Sequence, residues 1–363
     1  MKRRRGRSLN PAEDPRKKQK KSSKATSYKK MILEEIRDFF LLAGGLIILF
    51  LVGSIIQIYF YNEQETGGYY PVNGPKIEPC TSCNYERVGH LDVITSGEKG
   101  KGDLLIFLHG FPETAWLAWH NQIEYFSNLG YFVVAPDQRG YNNSAKFSSI
   151  MDYHLDYLSQ DIVDLIDHYE YKSASIVGHD WGAAVAWHLG QFHSERVDKM
   201  VIINVPHPQV MKYELMTSYK QISNSWYIFF FQLPFIPEAK ISRNDYQWLA
   251  GAFTMSPRGT YSKETIDMYK EAWSKEGVAN GMVNWYRAAI LGSIFRPTSH
   301  KRVENVPTLM IWGDQDQALK TEMAQPSIDM CDDGKLVILE GVSHWVPNEA
   351  PDKVNSLISD FLI

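Results

Sequence analysis

Gly178-His179-Asp180-Trp181-Gly182 puts a carboxylate where a chain of this pattern could use it as a nucleophile. The pentapeptide follows the apolar run Ala174-Ser175-Ile176-Val177 and precedes Ala183-Ala184-Val185-Ala186-Trp187. That sequence predicts a short buried strand, a sharp turn and a helix. Glycine two residues before and two after the centre relieves the crowding of a tight strand-turn-helix elbow. Serine usually occupies the centre of such an elbow; here it is Asp180. A carboxylate can attack carbon, and the product is then an ester of the protein's own side chain. The chemistry to expect is opening of an electrophilic carbon centre followed by hydrolysis of that ester.

Three further constellations fall at predicted strand ends. The apolar run 308–312 is followed by Gly313-Asp314-Gln315-Asp316, and the run 336–339 by Glu340-Gly341-Val342-Ser343-His344-Trp345. Nucleophile, acid and histidine thus occur in the chain order of the hydrolase elbow fold. His344 is the candidate base that activates water. Asp316, with Asp314 as the alternative, is the acid that fixes its tautomer and stabilises the imidazolium. Taken singly, a histidine is more often structural, and an Asp after such a strand often serves a turn. Three such sites in order favour catalysis. His109-Gly110-Phe111-Pro112-Glu113 follows the run 104–108. There the backbone N–H of Phe111, with that of Trp181, can face an oxyanion. Glycine and proline alone would make that segment only a turn.

The elements that must position these residues follow from periodicity. Continuous apolar runs at 104–108, 131–135, 173–177, 200–204, 308–312 and 336–339 suit parallel strands buried on both faces. Helical patterns such as 156–169 and 183–192 fall between them. Residues 84–96 suit opening strands that pair antiparallel at a sheet edge. The alternation predicts a doubly wound α/β sheet, mostly parallel, with helices on both faces. Ligands bind at the carboxyl ends of such strands, where these motifs lie. From 206 to 300 the alternation stops and an aromatic-rich, helix-compatible stretch intervenes, which reads as an inserted cap. The predicted order is a basic tail (1–38), an apolar span (39–61), a linker (62–83), the first half of the core (84–205), the cap (206–300) and the second half of the core (301–363).

Charge and hydropathy separate the ends of the chain. Residues 1–38 carry 14 Lys/Arg against 5 Asp/Glu, whereas the rest of the chain has a net charge of −13. Residues 39–61, FFLLAGGLIILFLVGSIIQIYFY, contain no charge and have the length of a bilayer span, with aromatic residues at both ends. A signal peptide would have a shorter apolar centre and a small-residue cleavage site; a buried core helix is the other alternative. The basic tail is thus read as the cytosolic flank of a transmembrane signal anchor rather than a nuclear import signal or a nucleic-acid patch. That predicts a single-pass type II membrane protein, N-terminus in the cytosol, in the endoplasmic reticulum. The lone CxxC at Cys80 and Cys83 is weak evidence for zinc; a local disulfide is open to it in an oxidising compartment.

Together HGFPE (109–113), DQRGY (137–141), GHDWG (178–182), WGDQD (312–316) and SHW (343–345) resemble the epoxide hydrolase branch of the α/β-hydrolase fold family. The likeness covers residues 84–363. Membrane-anchored members similar to epoxide hydrolases 3 and 4 resemble the chain most, because they share the N-terminal span. The resemblance implies two cap tyrosines that bind the epoxide oxygen: Tyr286 in Asn284-Trp285-Tyr286-Arg287, as proton donor, and Tyr227 in Ser225-Trp226-Tyr227-Ile228. An alkoxide is too basic to leave unaided, and a phenol can protonate it. Without the motif, each is one aromatic among 20 tyrosines. The chain departs from the family at Ala183 and Asn142, where glycine is common; asparagine tolerates positive φ better than most residues.

The expected reaction converts an apolar or lipid-derived small-molecule epoxide to a vicinal diol, with no metal or organic cofactor. The expected partners are the bilayer, through residues 39–61, and no nucleic acid; oligomeric state is left open. A haloalkane-type dehalogenase shares the aspartyl ester but releases halide. A membrane-tethered, non-catalytic ligand-binding homologue is the rival from another class. A serine esterase is excluded by the absence of GxSxG.

Overall fold

A computed structural model of the chain describes residues 74–257, 259–295 and 301–363. The basic tail, the apolar run 39–61 and residues 62–73 lie outside these. Eight strands form one sheet: β1 (Asn84–Val88), β2 (Leu91–Ser96), β3 (Leu104–Leu108), β4 (Phe132–Pro136), β5 (Ala174–His179), β6 (Val197–Ile203), β7 (Thr308–Gly313) and β8 (Gly334–Leu339). Their order across the sheet is β1-β2-β4-β3-β5-β6-β7-β8. β2 pairs antiparallel with β1 and β4, and every other neighbouring pair is parallel. The chain steps from β3 out to β4 and returns to β5 on the other side. This opens a crevice beyond the carboxyl ends of β3 and β5.

The all-apolar strands are buried as their sequences require: every residue of β3, β4, β5 and β7 is buried. β8 departs from that expectation. It is the last strand of the sheet, and Ile338 is 39% exposed because no strand lies beyond it. One face is covered by α1 (Ala115–Asn128) and the C-terminal helix Pro351–Leu362. Trp119, Ile123, Phe126, Val354 and Ile358 pack there on Leu105, Phe107, Val133, Val177 and Ile311. The other face is covered by α2 (Leu155–His168) and α3 (Trp181–Phe192). α2 buries Leu158, Ile162, Leu165 and Ile166, the helical spacing that gives one apolar stripe.

Between β6 and β7 the described residues form a run of helices: α4 (Pro208–Thr217), α5 (Tyr219–Asn224), α6 (Trp226–Phe230), α7 (Ile236–Ser242), α8 (Gln247–Ala250), α9 (Lys263–Ser274) and α10 (Val278–Phe295). This cap touches the core at the DQRGY segment. A Cβ on Gly281 of α10 would meet the Gly140 carbonyl oxygen at 2.6 Å, so only glycine permits the approach. The Trp285 indole N–H donates to the Arg139 carbonyl (2.8 Å). Arg139 itself is locked by two bonds to Asp161. Asp137 Oδ1 accepts the Ala115 N–H at the start of α1 (2.8 Å), where an anion is favoured.

Asn142 ties the two layers together. It sits at φ 42°. Its amide donates to Asp137 Oδ2 (2.6 Å), and its Oδ1 accepts from Lys275 of the cap (2.6 Å). Restoring the family's glycine removes both bonds but relieves the left-handed backbone, and each effect is about 1–2 kcal/mol. Asn142→Gly is therefore expected to change global stability by under about 1 kcal/mol while raising amide exchange in α9 several-fold. Hydrogen-exchange mass spectrometry alongside a denaturant melt checks both halves of this.

Residues 74–83, read from sequence as the end of a linker, are packed on the domain. Ile77 and Cys80 are buried, Cys80 and Cys83 form a disulfide, and the Glu78 carbonyl accepts from the Trp116 indole. Among the described residues no helix is long and apolar enough to cross a membrane.

Candidate active site

Asp180 stands between β5 and α3 at φ 49°, ψ −124°. The backbone there is one that L side chains seldom adopt, and it turns the carboxylate out of the sheet. The flanking glycines make the turn possible. A Cβ on Gly182 would overlap the carbonyl of Leu108, and one on Gly178 would overlap that of Gly182. α3 begins at Trp181, so the carboxylate also lies at a helix N-terminus, where its charge is favoured. Ala183 is fully buried in the first turn of α3.

His344 and Asp316 arrive from the loops after β8 and β7. His344 Nδ1 lies 2.7 Å from Asp316 Oδ2, and its Nε2 lies 3.5 Å from Asp180 Oδ2. A carboxylate only accepts, so Nδ1 carries a proton and Nε2 is the nitrogen that exchanges one. The Asp316 side chain is fully buried and its other oxygen accepts the N–H groups of Ala318 and Leu319 (2.8 and 2.9 Å). Asp314, the alternative, is turned away: its Oδ1 accepts the Gly341 N–H. Burial alone would lower the His344 pKa, but the Asp316 charge and hydrogen bonds to Asp180 and Asp316 carry it well above the usual histidine value. Burial would raise the Asp180 pKa, yet the His344 hydrogen bond and charge, His179 and the Phe111 amide together hold it below the ordinary carboxyl value. The free site therefore holds an ionised nucleophile beside an imidazolium.

The Phe111 N–H donates to Asp180 Oδ1 at 2.8 Å. Trp181, the other residue expected at the oxyanion position, is the first residue of α3. Its N–H is one of the first-turn amides that have no intrahelical acceptor. The HGFPE segment is held as more than a turn. Buried His109 donates through Nδ1 to the Gly110 carbonyl and accepts the Gln138 N–H on Nε2. Gly110 must be glycine, because a Cβ there would press on the Asp180 side chain.

Tyr227 from α6 and Tyr286 from α10 meet above the carboxylate, with ring centroids 5.8 Å apart. Tyr286 packs edge-on to Trp181 (5.0 Å) and Phe111 (5.3 Å) and lies 4.7 Å from Phe231. Burial first, and then the Asp180 charge, push both phenol pKa values well up. Both hydroxyls thus stay protonated and can donate. A side-chain hydrogen bond with Trp181 partly offsets the rise at Tyr286. Tyr286→Phe should slow ester formation about 10²-fold with little change in ester hydrolysis, measured by stopped-flow single turnover. Tyr227→Phe should act in the same direction.

Three functional positions escaped the sequence. Asn204, at φ 52° after β6, donates to Asp316 Oδ2 (2.7 Å) and accepts the Gly313 N–H (2.9 Å), so it joins the acid to the strand beside it. Glu113 and His179, both fully buried, lie 2.8 Å apart; His179 Nε2 donates to the His344 carbonyl, and Glu113 accepts the Gly110 N–H. That pair connects the oxyanion loop, the elbow and the histidine loop. Both residues stood inside quoted motifs, which was the available signal. Asn204 lay in no motif. Among the described residues no cluster of three His, Cys, Asp or Glu could hold a metal ion.

A strand-turn-helix aspartate, a histidine–aspartate pair and an oxyanion loop at the carboxyl edge of such a sheet define a hydrolase of the elbow type. The family pattern of the alpha/beta hydrolase fold matches residues 103–351. The chain is 43% identical to the AB hydrolase superfamily protein YfhM of Bacillus subtilis over 273 residues, which is 75% of this chain and 94% of that protein. It is 37% identical to epoxide hydrolase 4 of Homo sapiens over 278 residues, 74% of either chain. The crystal structure of Bacillus megaterium epoxide hydrolase in complex with an inhibitor superposes with a TM-score of 0.68 at 30% identity, covering 77% of this chain and 99% of that one. The chain belongs to the epoxide hydrolase branch of the α/β-hydrolase fold family.

Proposed function

We propose that this chain hydrolyses an apolar epoxide to a vicinal diol through an ester on Asp180, and that it does so as a membrane-anchored enzyme. The observation that carries the chemistry is the division of labour on the Asp180 carboxylate. Oδ1 is already bonded to the Phe111 N–H, whereas Oδ2 faces His344 Nε2 at 3.5 Å. Oδ2 attacks the epoxide carbon from the back side, and the ring C–O bond breaks. The departing oxygen takes a proton from Tyr286 while Tyr227 donates a hydrogen bond to it. Esterification removes the charge of Asp180, so His344 loses one of the two carboxylates that raised its pKa. It then gives up its proton, which returns to the tyrosine phenolate, and becomes the base.

Water attacks the ester carbonyl carbon as His344 Nε2 takes its proton. Negative charge develops on Oδ1, against the Phe111 N–H and the Trp181 N–H. The ester C–O bond of the tetrahedral intermediate breaks, the diol oxygen leaves with the proton from His344, and Asp180 emerges as the carboxylic acid. It passes that proton to His344 Nε2, which restores both the carboxylate and the imidazolium. The atoms balance as epoxide plus water to diol. The two buried phenols facing Asp180 favour epoxide over alkyl halide, because an alkoxide leaving group needs a proton donor and a halide does not.

A single turnover in heavy-oxygen water tests the ester route. The label is expected in the Asp180 carboxylate and not in the first diol released. Label in that diol alone would rule the ester out. The uncharged run 39–61 behind a basic tail supports a single-pass anchor with its N-terminus in the cytosol, in the endoplasmic reticulum. The aromatic lining from Phe111, Trp181, Phe231 and the two tyrosines supports an apolar, lipid-derived substrate.

A further inference from the structure

We propose that the apolar side chains the cap exposes, Tyr213, Met216 and Tyr219 on α4 and α5 with Phe235 and Ile236 at the start of α7, seat on the surface of a lipid bilayer, and that the enzyme takes its epoxide from there. The proposal rests on the anchored-enzyme reading above and adds which face of the domain meets the lipid. Three observations carry it.

The first is where apolar surface is exposed. Leaving aside the C-terminal Ile363, the four most exposed large hydrophobic residues among those described are Tyr219 (86%), Phe235 (83%), Met216 (69%) and Tyr213 (65%). All four belong to the cap. Tyr213 and Met216 are three residues apart on α4, which sets them on one side of the helix, and Tyr219 follows three residues later at the start of α5. Exposed Lys212 and Lys220 flank them. Tyrosine with a wet hydroxyl, an apolar methionine and lysines with long apolar stems are the chemistry of a membrane interface. They stand out on a chain whose residues beyond 38 carry a net charge of −13.

The second is Phe235. It sits at φ 64° between Pro234 and the start of α7. A bulky side chain is rare in the left-handed region, and here the strain is not offset by burying the ring. Residues held in the left-handed region cluster at active sites, ligand clamps and switch regions; an aromatic ring exposed beside Ile236 fits an acyl-headgroup boundary.

The third is where the chain enters the domain. The Gly74 N–H donates to the Tyr261 carbonyl (3.0 Å), so the first described residue is joined to the cap loop between α8 and α9. Thirteen peptide steps separate Tyr61, the last residue of the apolar run, from Gly74, at most about 45 Å of extended chain. The described chain thus starts on the cap, not at the amino-terminal edge of the sheet.

The test uses the full chain reconstituted in phosphatidylcholine vesicles, with an environment-sensitive dye on a single introduced thiol. Cys331 is buried and Cys80 is paired with Cys83, so the new thiol takes the label. Tyr219→Cys and Phe235→Cys are expected to shift to the blue and to be quenched by brominated lipid. Tyr85→Cys, on the edge strand β1, is expected to do neither. A Tyr219→Ser, Phe235→Ser double variant should raise the apparent KM roughly tenfold for a long-chain epoxide dissolved in the bilayer, with that for a small water-soluble epoxide unchanged. If the chain floats with vesicles while positions 219 and 235 respond no more than 85, cap docking is wrong and the anchor survives. If the chain does not float yet 219 and 235 respond to added vesicles, the anchor is wrong and cap docking stands. No flotation and no response removes both. A response that follows protein concentration instead of lipid assigns the face to a second copy of the chain and overturns the proposal.

Discussion

Replacing Asp180 with alanine should lower epoxide turnover by about 10⁵-fold or more, the scale on which loss of a covalent nucleophile acts. The change removes the only group on the elbow that can bond to carbon. It leaves the oxyanion donors and both phenols in place. Residual binding of an epoxide should persist, because Tyr227 and Tyr286 do not depend on the carboxylate for position; their aromatic contacts with Phe231 and with each other hold them. Asp180→Asn is the stricter control. Its carbonyl can still accept the Phe111 N–H, so any loss of activity reflects chemistry and not a collapsed loop. Steady-state rates together with equilibrium dialysis of an unreacted epoxide measure the two effects. Undiminished turnover in either variant would remove the ester mechanism altogether.

His344→Gln should separate the two half-reactions. Glutamine retains a donor for Asp316 but cannot take a proton from water. Ester formation is expected to continue, and hydrolysis to fall about 10³–10⁴-fold. One equivalent of epoxide should then be consumed in a burst, and the peptide containing Asp180 should gain the mass of the epoxide. In the wild type, acid pH should do the same in milder form. With Asp180 esterified, His344 must be neutral to act, and Asp316 still favours its charged form; the hydrolytic step should quicken as pH rises through that value. The ester fraction at steady state should be larger at pH 5.5 than at pH 8 (about the lower and upper sides of an ordinary histidine value).

Stability should carry the opposite dependence. The His344 pKa is raised on folding, so its contribution is complete below the unfolded value of about 6.5 and is lost as pH climbs through the folded value. The Asp180 pKa is lowered on folding, so its contribution is present above about 3.9 and lost as pH falls through the folded value. Thermal melts of the wild type against His344→Gln from about pH 6.5 upward test the sign: the decline on the alkaline side should disappear in the variant.

The fold was legible because its signals are local. Five-residue apolar runs such as Leu104–Leu108 suit a strand covered on both faces, and Gly178 and Gly182 suit a sharp elbow. Edge position was not legible: the 336–339 run of β8 reads like the others, and only its place at the end of the strand order exposes Ile338. Asn142 looked like a tolerated departure. In the structure it bridges Asp137 to Lys275, a contact between residues 133 apart in the chain.

By itself the sequence determined which groups can react: an aspartate at the elbow, a histidine after the last strand, and phenols in the inserted segment. Those identities are fixed by short motifs whose spacing is that of a single turn. Only the tertiary structure decided which acid meets the histidine. Asp314 and Asp316 stand two residues apart in one loop, yet Asp314 bonds the Gly341 amide and Asp316 reaches His344. It also decided that Asn204 steadies that acid, and that Glu113 and His179 join three loops. The reason is geometric: strands far apart in sequence lie about 5 Å apart in the sheet, and their lateral order, which no local motif contains, brings their loops together.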